Sequence, residues 1–179
     1  MRRLWTPWRL SYLTGSRPSG CVFCQMLAEQ PNDNDLIVHR GRHSFIVLNL
    51  YPYSNGHVMV VPYRHVPSTE QLDAAELLDL MNMVNLSLAA LRNTMSPDGF
   101  NIGVNLGKAA GAGVDAHVHM HVVPRWVGDT NFMPILGDTR VIPESLPATC
   151  QRLRQAVAAI LSGQGDNQET TTNEPSASS

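Results

Sequence analysis

Three histidines occupy alternate positions in one apolar segment, AHVHMHVVPRW, which runs from Ala116 to Trp126. On a β-strand, alternate side chains share a face, so His117, His119 and His121 would point the same way. A neutral imidazole can bind zinc or act as a nucleophile or a general base. The pattern therefore allows a three-histidine metal site or histidine catalysis. A solvated strand face is the third interpretation, and histidine is an unusual choice for it.

A second group of metal-binding residue types lies near the start of the chain. Cys21 and Cys24 form a C-x-x-C pair, a spacing at which thiolates commonly hold zinc. A chance pair on a short helix and a redox motif are the alternatives, but no βαβ pattern of the thioredoxin type surrounds the pair. The N-terminal residues lack the uninterrupted apolar stretch of a signal peptide, which predicts a cytoplasmic protein. In such a reducing compartment, an odd count of three cysteines argues against a disulfide framework. The third, Cys150, is expected to be a small core residue.

A zinc site with two cysteines needs two further ligands. His65 follows a predicted strand that begins at His57. If that strand lies beside the triple-histidine strand, His65 and His117 can complete a closed, structural Cys₂His₂ site. His119 and His121 are then left for catalysis.

A glycine-rich loop, GKAAGAG, precedes the three histidines and spans Gly107–Gly113. Glycines such as Gly111 and Gly113 let backbone N–H groups approach an anion closely, although they also occur in ordinary turns. Asn49 and Asn105 lie at the ends of predicted strands near this region and could contact a ribose or phosphate oxygen, or satisfy a local turn. The loop and these two residues are therefore candidates for substrate binding.

The elements that position these residues follow from β-branched runs and helical periodicity. The predicted strands are Asp35–Arg40, Ser44–Leu50, His57–Tyr63, Phe100–Leu106 and His117–Pro124. A long helix is expected over Ser68–Met95, with Ser68 and Gln71 as its capping box, and a second one over Pro143–Leu161. Strands grouped around one long helix indicate an α+β domain with an antiparallel sheet.

Composition excludes some classes of protein. The formal charge is 13 − 15 = −2 and the pI is near 6.4, so general nucleic-acid binding is not expected. The sequence shows no apolar run of about 18 residues, which predicts no membrane span. Residues 1–20 read as an irregular arm, residues 21–162 as the folded domain and residues 163–179 as a disordered tail of very low apolar content.

The motif HVHMHVV resembles that of the histidine triad (HIT) family, in which histidines alternate with apolar residues. The strand GHVMVVP, the loop NLGKAAGAG, the PRW that follows and the C-x-x-C pair all resemble the same family over about residues 20–130. The arm RLWTPWRLSYL resembles a branch that acts on diadenosine polyphosphates. The resemblance implies a HIT-like fold with about five antiparallel strands, homodimer formation, and a hydrolase or transferase that cleaves nucleoside or dinucleoside polyphosphates at the α-phosphorus.

The resemblance also implies roles for individual residues. His119 would be the nucleophile that forms a nucleotidyl-histidine, His121 would orient and polarise the site, and His57 would support the nucleophile. Asn49 would lie on the ribose side and Asn105 near the phosphates. His117 would be a zinc ligand together with Cys21, Cys24 and His65, and no catalytic metal is implied.

One segment departs from the family pattern. Many HIT proteins carry Gln, Ser or Thr shortly before the first histidine, where this chain has Ala112 and Gly113. Backbone N–H groups would then have to replace a side-chain contact to the phosphates. Whether water or inorganic phosphate resolves the intermediate therefore stays open, which leaves a phosphorylase as one alternative and a zinc-stabilised nucleotide-binding module with little catalysis as another.

Overall fold

The computed structural model describes residues 20–30, 35–129 and 144–169, the last six of these by backbone only. The predicted arm 1–20, apart from Gly20, lies outside the described residues. The helices are α1 (Val22–Ala28), α2 (Ala74–Met95) and α3 (Leu146–Glu169). The strands are β1 (Ile37–Arg40), β2 (Ser44–Leu48), β3 (Val58–Pro62), β4 (Gly99–Val104) and β5 (Met120–Arg125). Short 3-10 turns occur at Thr69–Gln71 and Lys108–Ala110.

The five strands form one antiparallel sheet in the order β1-β2-β3-β5-β4. The prediction of an α+β fold with about five antiparallel strands is thereby confirmed. Strand β3 lies beside β5, as the proposed metal site requires. In the register, His121 is opposite Met59 on one side and Gly103 on the other, so these three residues share a face of the sheet.

Helix α2 covers the opposite face of the sheet. Its buried positions include Leu80, Val84 and Leu91, which recur at the spacing of one helical face and pack in the main hydrophobic core. Helix α3 packs against α2 and β1. Cys150 on α3 is buried in the same core, as expected for a small apolar side chain. Every residue of β2 and β3 is buried, because these strands are central to the sheet.

The start of the long helix differs from the prediction. Helix α2 begins at Ala74, and its capping box is formed by Asp73 and Glu76. Ser68 instead caps the separate 3-10 turn, which extends to Gln71. Arg64 decides between the two patterns, because its guanidinium pairs with the carboxylate of Glu76 at 2.7 Å and also donates to the carbonyl of Gln71. Both patterns fit locally, and the tertiary contact selects the later one.

Two further boundaries differ. Strand β5 begins at Met120, so His117 and His119 precede the strand and only His121 lies within it. There, the N–H of Val118 bonds to the carbonyl of Val66 at 2.7 Å, outside the regular ladder. Helix α3 runs to Glu169, so its end overlaps the segment 163–179 assigned to a tail. That assignment stays a prediction, and residues 170–179 lie outside the described part.

Helix α2 is long and apolar enough to cross a membrane by length and composition alone, with a mean hydropathy of 1.3 over its most apolar 18 residues. The prediction of no membrane span considered uninterrupted apolar runs only, and α2 carries polar residues at intervals. One third of that window is buried inside the domain. The core helix of a globular domain has the same properties, and α2 occupies that position against the sheet.

Candidate active site and metal cluster

The four predicted metal ligands lie together. Their ligand atoms, Sγ of Cys21 and Cys24 and one ring nitrogen each of His65 and His117, are all within 4.8 Å of one another. Cys21 Sγ is 3.2 Å and Cys24 Sγ is 3.7 Å from Nδ1 of His117, and Cys24 Sγ is 3.4 Å from Nδ1 of His65. The start of α1 supplies the cysteines, and the chain after β3 and before β5 supplies the histidines.

These distances fit a tetrahedral zinc ion. Bonds of about 2.3 Å to sulfur and about 2.0 Å to nitrogen put sulfur and nitrogen ligand atoms about 3.5 Å apart. The three measured separations, 3.2, 3.4 and 3.7 Å, surround that value. Burial, aided by the neighbouring Cys21, raises the pKa of the Cys24 thiol, so a pair of thiolates here requires a compensating cation. The donor set therefore suits a structural Cys₂His₂ zinc site.

His117 is oriented for such a site by its second ring nitrogen. Nε2 lies 2.9 Å from the carbonyl oxygen of Pro62, which can only accept, so Nε2 carries the proton and Nδ1 presents a lone pair to the cysteines. Burial is the main cause that lowers the pKa of His117 and keeps the ring neutral. A carbonyl at Nε2 is a common outer partner of a metal-binding imidazole.

His119 is held by a different contact. Its Nδ1 lies 2.9 Å from the carbonyl oxygen of His117, so Nδ1 carries the proton and Nε2 keeps a lone pair. The residue is only 5% exposed, and burial lowers its pKa, which favours the neutral ring. Phe23 packs on it with ring centroids 5.1 Å apart. A neutral, oriented imidazole with a lone pair on Nε2 has the form required of a nitrogen nucleophile.

His57 and His121 form a hydrogen-bonded pair. The N–H of Tyr53 donates to Nδ1 of His57 at 3.1 Å, so the proton of that ring is on Nε2. Nε2 of His57 lies 2.9 Å from Nδ1 of His121 and donates to it. Burial, with a smaller effect of His119, lowers the pKa of His121 to about 4, so this ring is neutral and its own proton is on Nε2. The pair therefore presents the Nε2–H of His121 as a donor close to His119; the centroids of the His121 and His119 rings are 4.9 Å apart.

Asn49 supports this pair from the loop after β2. Its Nδ2 donates to Nδ1 of His57 at 3.2 Å, and its Oδ1 accepts from the N–H of Tyr51 at 3.0 Å. The two predicted uses of Asn49 are a ribose contact and a local turn. The turn contact is present in the structure, and the ribose contact stays a prediction.

The glycine-rich loop returns to the same end of the sheet. Val104, the last residue of β4, pairs with Met120, so the loop between them lies next to His119. Gly111 has a φ of +87°. A Cβ added at this position would lie 4.0 Å from the amide nitrogen of the Asn105 side chain. Gly113 has no positive φ, and a Cβ there would meet nothing within 4 Å. Only Gly111 of these two predicted positions has a backbone that favours glycine.

Three residues of this region were not predicted. Phe23 is the residue between the cysteines that packs on the His117 and His119 rings. Tyr53 packs against His57 with centroids 4.7 Å apart. Lys108, on the glycine-rich loop, lies 3.7 Å from Asp115 across it. An aromatic residue inside the C-x-x-C pair and a lysine within the glycine-rich loop are the signals that could have found two of them.

The three triad histidines do not converge on one metal ion. Nδ1 of His117 is with the cysteines, Nδ1 of His119 is on a carbonyl and Nδ1 of His121 is on His57. In the described part of the chain, the cluster with Cys21 and Cys24 is the one group whose ligand atoms are close enough to hold a metal. A solvated strand face is also excluded for His117 and His119, since both are buried.

The alternating, individually oriented histidines at one end of an antiparallel sheet are typical of histidine triad proteins, and related sequences agree. The model of the HIT domain matches residues 30–127. The chain is 43% identical over 157 residues to the AP-4-A phosphorylase of Mycobacterium tuberculosis, covering 83% of this chain and 80% of that protein. It is 37% identical over 93 residues to the asymmetrical bis(5'-nucleosyl)-tetraphosphatase of Schizosaccharomyces pombe, covering 52% and 50%.

Among solved structures, the chain resembles a zinc-bound histidine triad family protein from Mycobacterium smegmatis. The TM-score is 0.64 and the identity 28%, covering 80% of this chain and 96% of that one. This protein belongs to the HIT family.

Proposed function

We propose that this protein is a nucleotidyl transferase that cleaves dinucleoside polyphosphates at the α-phosphorus through a nucleotidyl-His119 intermediate. The observation that carries the proposal is the 2.9 Å contact from Nδ1 of His119 to the His117 carbonyl, which leaves Nε2 as the attacking atom. The names of the phosphorylase and tetraphosphatase relatives support the substrate class.

In the first step, the lone pair on Nε2 of His119 forms a bond to the α-phosphorus while the bond from phosphorus to the bridging oxygen breaks. The leaving group, a nucleoside polyphosphate, takes the electron pair on that oxygen. The proton on Nδ1 stays hydrogen-bonded to the His117 carbonyl, so the modified ring is an imidazolium whose positive charge is next to that oxygen. The Nε2–H of His121 and the loop N–H groups stabilise charge on the phosphoryl oxygens.

In the second step, an oxygen of the acceptor attacks the phosphorus, and the bond to Nε2 of His119 breaks with its electron pair returning to the ring. Water as acceptor gives a nucleoside monophosphate and releases a proton. Inorganic phosphate as acceptor gives a nucleoside diphosphate. Phosphorolysis is the second candidate within this mechanism, and the 43% identity to AP-4-A phosphorylase favours it.

Zinc in this proposal has a structural role. Cys21, Cys24, His65 and His117 would hold one ion per chain, and the Cys₂His₂ set leaves no position for a substrate. When bound, the ion neutralises the thiolates and ties α1 to the segment before β5. A zinc-bound relative of the same fold supports this assignment.

We also propose that the protein is a cytoplasmic homodimer. Strand β4 is an edge of the sheet, and its Ile102 is 47% exposed on the face that α2 covers. Leu78 on α2 is 64% exposed, while α3 packs on the β1 side of that helix. Exposed apolar residues beside an open edge favour a second copy of the chain as the partner. Sedimentation of the purified protein tests whether it is a dimer.

The experiment that tests the function incubates the protein with diadenosine tetraphosphate and follows AMP, ADP and ATP by chromatography, with and without inorganic phosphate. We expect ATP with AMP in water, and ATP with ADP when phosphate is present. His119→Ala should abolish turnover, and undiminished turnover in that variant would refute the mechanism. Quenching with alkaline denaturant during turnover should leave an acid-labile nucleotide on the chain.

The remaining alternative, a zinc-stabilised nucleotide-binding module, predicts a different result. Nucleotide would bind, but neither the trapped intermediate nor multiple turnovers would be found. The oriented lone pair on His119 argues for catalysis, since a binding module needs no nucleophile at that point.

A further inference from the structure

Helix α1 contacts the nucleophile region through a residue that lies between the two cysteines. Phe23 is 3% exposed and packs edge-on against His117, with centroids 5.4 Å apart and planes at 81°. The same ring contacts His119 at 5.1 Å with planes at 54°. One side chain of the C-x-x-C turn therefore touches both a metal-cluster residue and the nucleophile.

His117 provides a second connection between the two sites. Its imidazole faces Cys21 at 3.2 Å, and its own carbonyl accepts from Nδ1 of His119 at 2.9 Å. Its Nε2–H is fixed on the carbonyl of Pro62. Any movement of the cysteine turn therefore reaches His119 by two routes, through the Phe23 ring and through the His117 backbone.

We propose that the Cys21–Cys24 turn is a positioning element for the nucleophile and that Phe23 is its positioning residue. An imidazole on a single hydrogen bond can rotate about χ2, because that torsion is broad and roughly two-fold. A rotated ring would turn Nε2 away from the substrate. The Phe23 ring restricts this rotation, and the metal cluster keeps Phe23 in place.

The proposal rests on His119 being the nucleophile, but it predicts an effect that exists without substrate. With the metal bound, His119 has one tautomer, protonated on Nδ1, and one ring orientation. When Phe23 is truncated, the ring samples other orientations and the Nδ1 bond to His117 is populated only part of the time. Ground-state binding of nucleotide involves other groups, so the loss should fall on the chemical step.

The test compares zinc-loaded Phe23→Leu with the wild type and with a control, Leu27→Ala. Leu27 lies one turn later on α1 and is partly buried against the core, so its truncation removes an apolar contact from the same helix while the aromatic ring and the cysteine turn stay in place. Cobalt substitution and its thiolate absorption verify that both variants keep the metal ligands. The readouts are the ¹⁵N resonances of His119 in the free protein and the rapid-quench rate of nucleotidyl-histidine formation.

For Phe23→Leu we expect loss of the single-tautomer pattern and a fall of about tenfold or more in the rate of the first step, with KM nearly unchanged, because misplacement of a reacting group by about 1 Å can cost 10²-fold. Leu27→Ala should keep both at wild-type values. An unaltered His119 spectrum and step rate in metal-loaded Phe23→Leu would overturn the proposal. If the wild type forms no nucleotidyl-histidine, the proposed function fails, while the resonances still decide the positioning role.

Discussion

Replacing His57 tests the hydrogen bonds that set the tautomers of His57 and His121. It does so more sharply than replacing His119, the proposed nucleophile, because the reacting atom stays in place. Phenylalanine fills nearly the same volume but neither accepts from Tyr53 nor donates to His121. Glutamine can do both through its amide. We therefore expect His57→Phe to be severely impaired and His57→Gln to keep part of the activity.

The magnitude follows from the contacts. In His57→Phe the N–H of Tyr53 loses the acceptor that lies at 3.1 Å; because Tyr53 is 53% exposed, water can replace that acceptor, and the expected cost is about 0.5–1.5 kcal/mol of unfolding free energy. His121 loses the donor at 2.9 Å that fixes its tautomer, so its Nε2 carries a proton only part of the time. Losing one preorganised donor to a phosphoryl oxygen costs about 10²–10³ in kcat.

The assay is steady-state cleavage of diadenosine tetraphosphate, with thermal unfolding measured on the same samples. We expect kcat of His57→Phe to fall about 10²-fold with a small change in KM, and His57→Gln to recover about tenfold of that loss. A folded His57→Phe variant with kcat within about threefold of the wild type would refute a role for the hydrogen bonds from Tyr53 to His57 and from His57 to His121 in setting the His121 tautomer.

Three further predictions concern other parts of the site. The pKa of His121 is lowered from 6.5 to about 4, so the unfolded chain binds more protons between these values. The contribution to stability is therefore complete above pH 6.5 and is lost as pH falls towards 4. As pH falls over this range, the melting temperature of His121→Gln should fall less steeply than that of the wild type. Parallel curves for the two proteins would contradict the lowered pKa of His121. Gly111→Ala should lower the free energy of unfolding in urea by about 1–2 kcal/mol because of the φ of +87° at this position. Gly113→Ala, with open space at its Cβ, should change it by no more than about 0.5 kcal/mol. Equal costs would contradict a left-handed backbone at Gly111. Lys108 is 83% exposed and its pair with Asp115 is correspondingly weak, so a polyphosphate can replace Asp115. Lys108→Ala should raise KM for the tetraphosphate several-fold at low salt and much less at high salt, and a salt-independent effect would exclude a charge contact.

Strands were predicted well because their signal is local. Residues such as Ile46, Val60 and Val122 are β-branched, and their side chains are buried in β2, β3 and β5. The predicted start of α2 was wrong for a non-local reason. Two capping patterns, one at Ser68 and one at Asp73, fit equally well, and the ion pair from Arg64 to Glu76 selects the second. Arg64 is twelve residues from Glu76, and a local pattern contains no information about that contact.

The cluster of Cys21, Cys24, His65 and His117 could be predicted because sulfur and imidazole at these spacings have few uses other than metal binding. The supporting residues could not. Phe23 has the composition of an ordinary core residue, and its contact with His119 arises only when α1 packs beside the segment that leads into β5. Tyr53 acts on His57 through its backbone N–H, which every residue except proline possesses. Functions carried by packing or by the main chain leave no distinctive residue type in the sequence.

The contacts of the three histidines, together with their spacing, argue against one shared set of metal ligands. Residues along a strand advance about 3.3 Å each, so a regular strand puts the Cα atoms of His117 and His121 about 13 Å apart. Ligand nitrogens on one zinc ion lie only about 3.3 Å apart, since each bond is about 2.0 Å. A regular strand would therefore hold the outer two of three such histidines far apart; in this structure His117 and His119 precede β5, and each ring contacts a different neighbour. The neighbours are the cysteine turn and Phe23, both at α1, and His57 directly before β3. These different neighbours explain why His117 can bind a metal, His119 can attack phosphorus and His121 can donate a hydrogen bond.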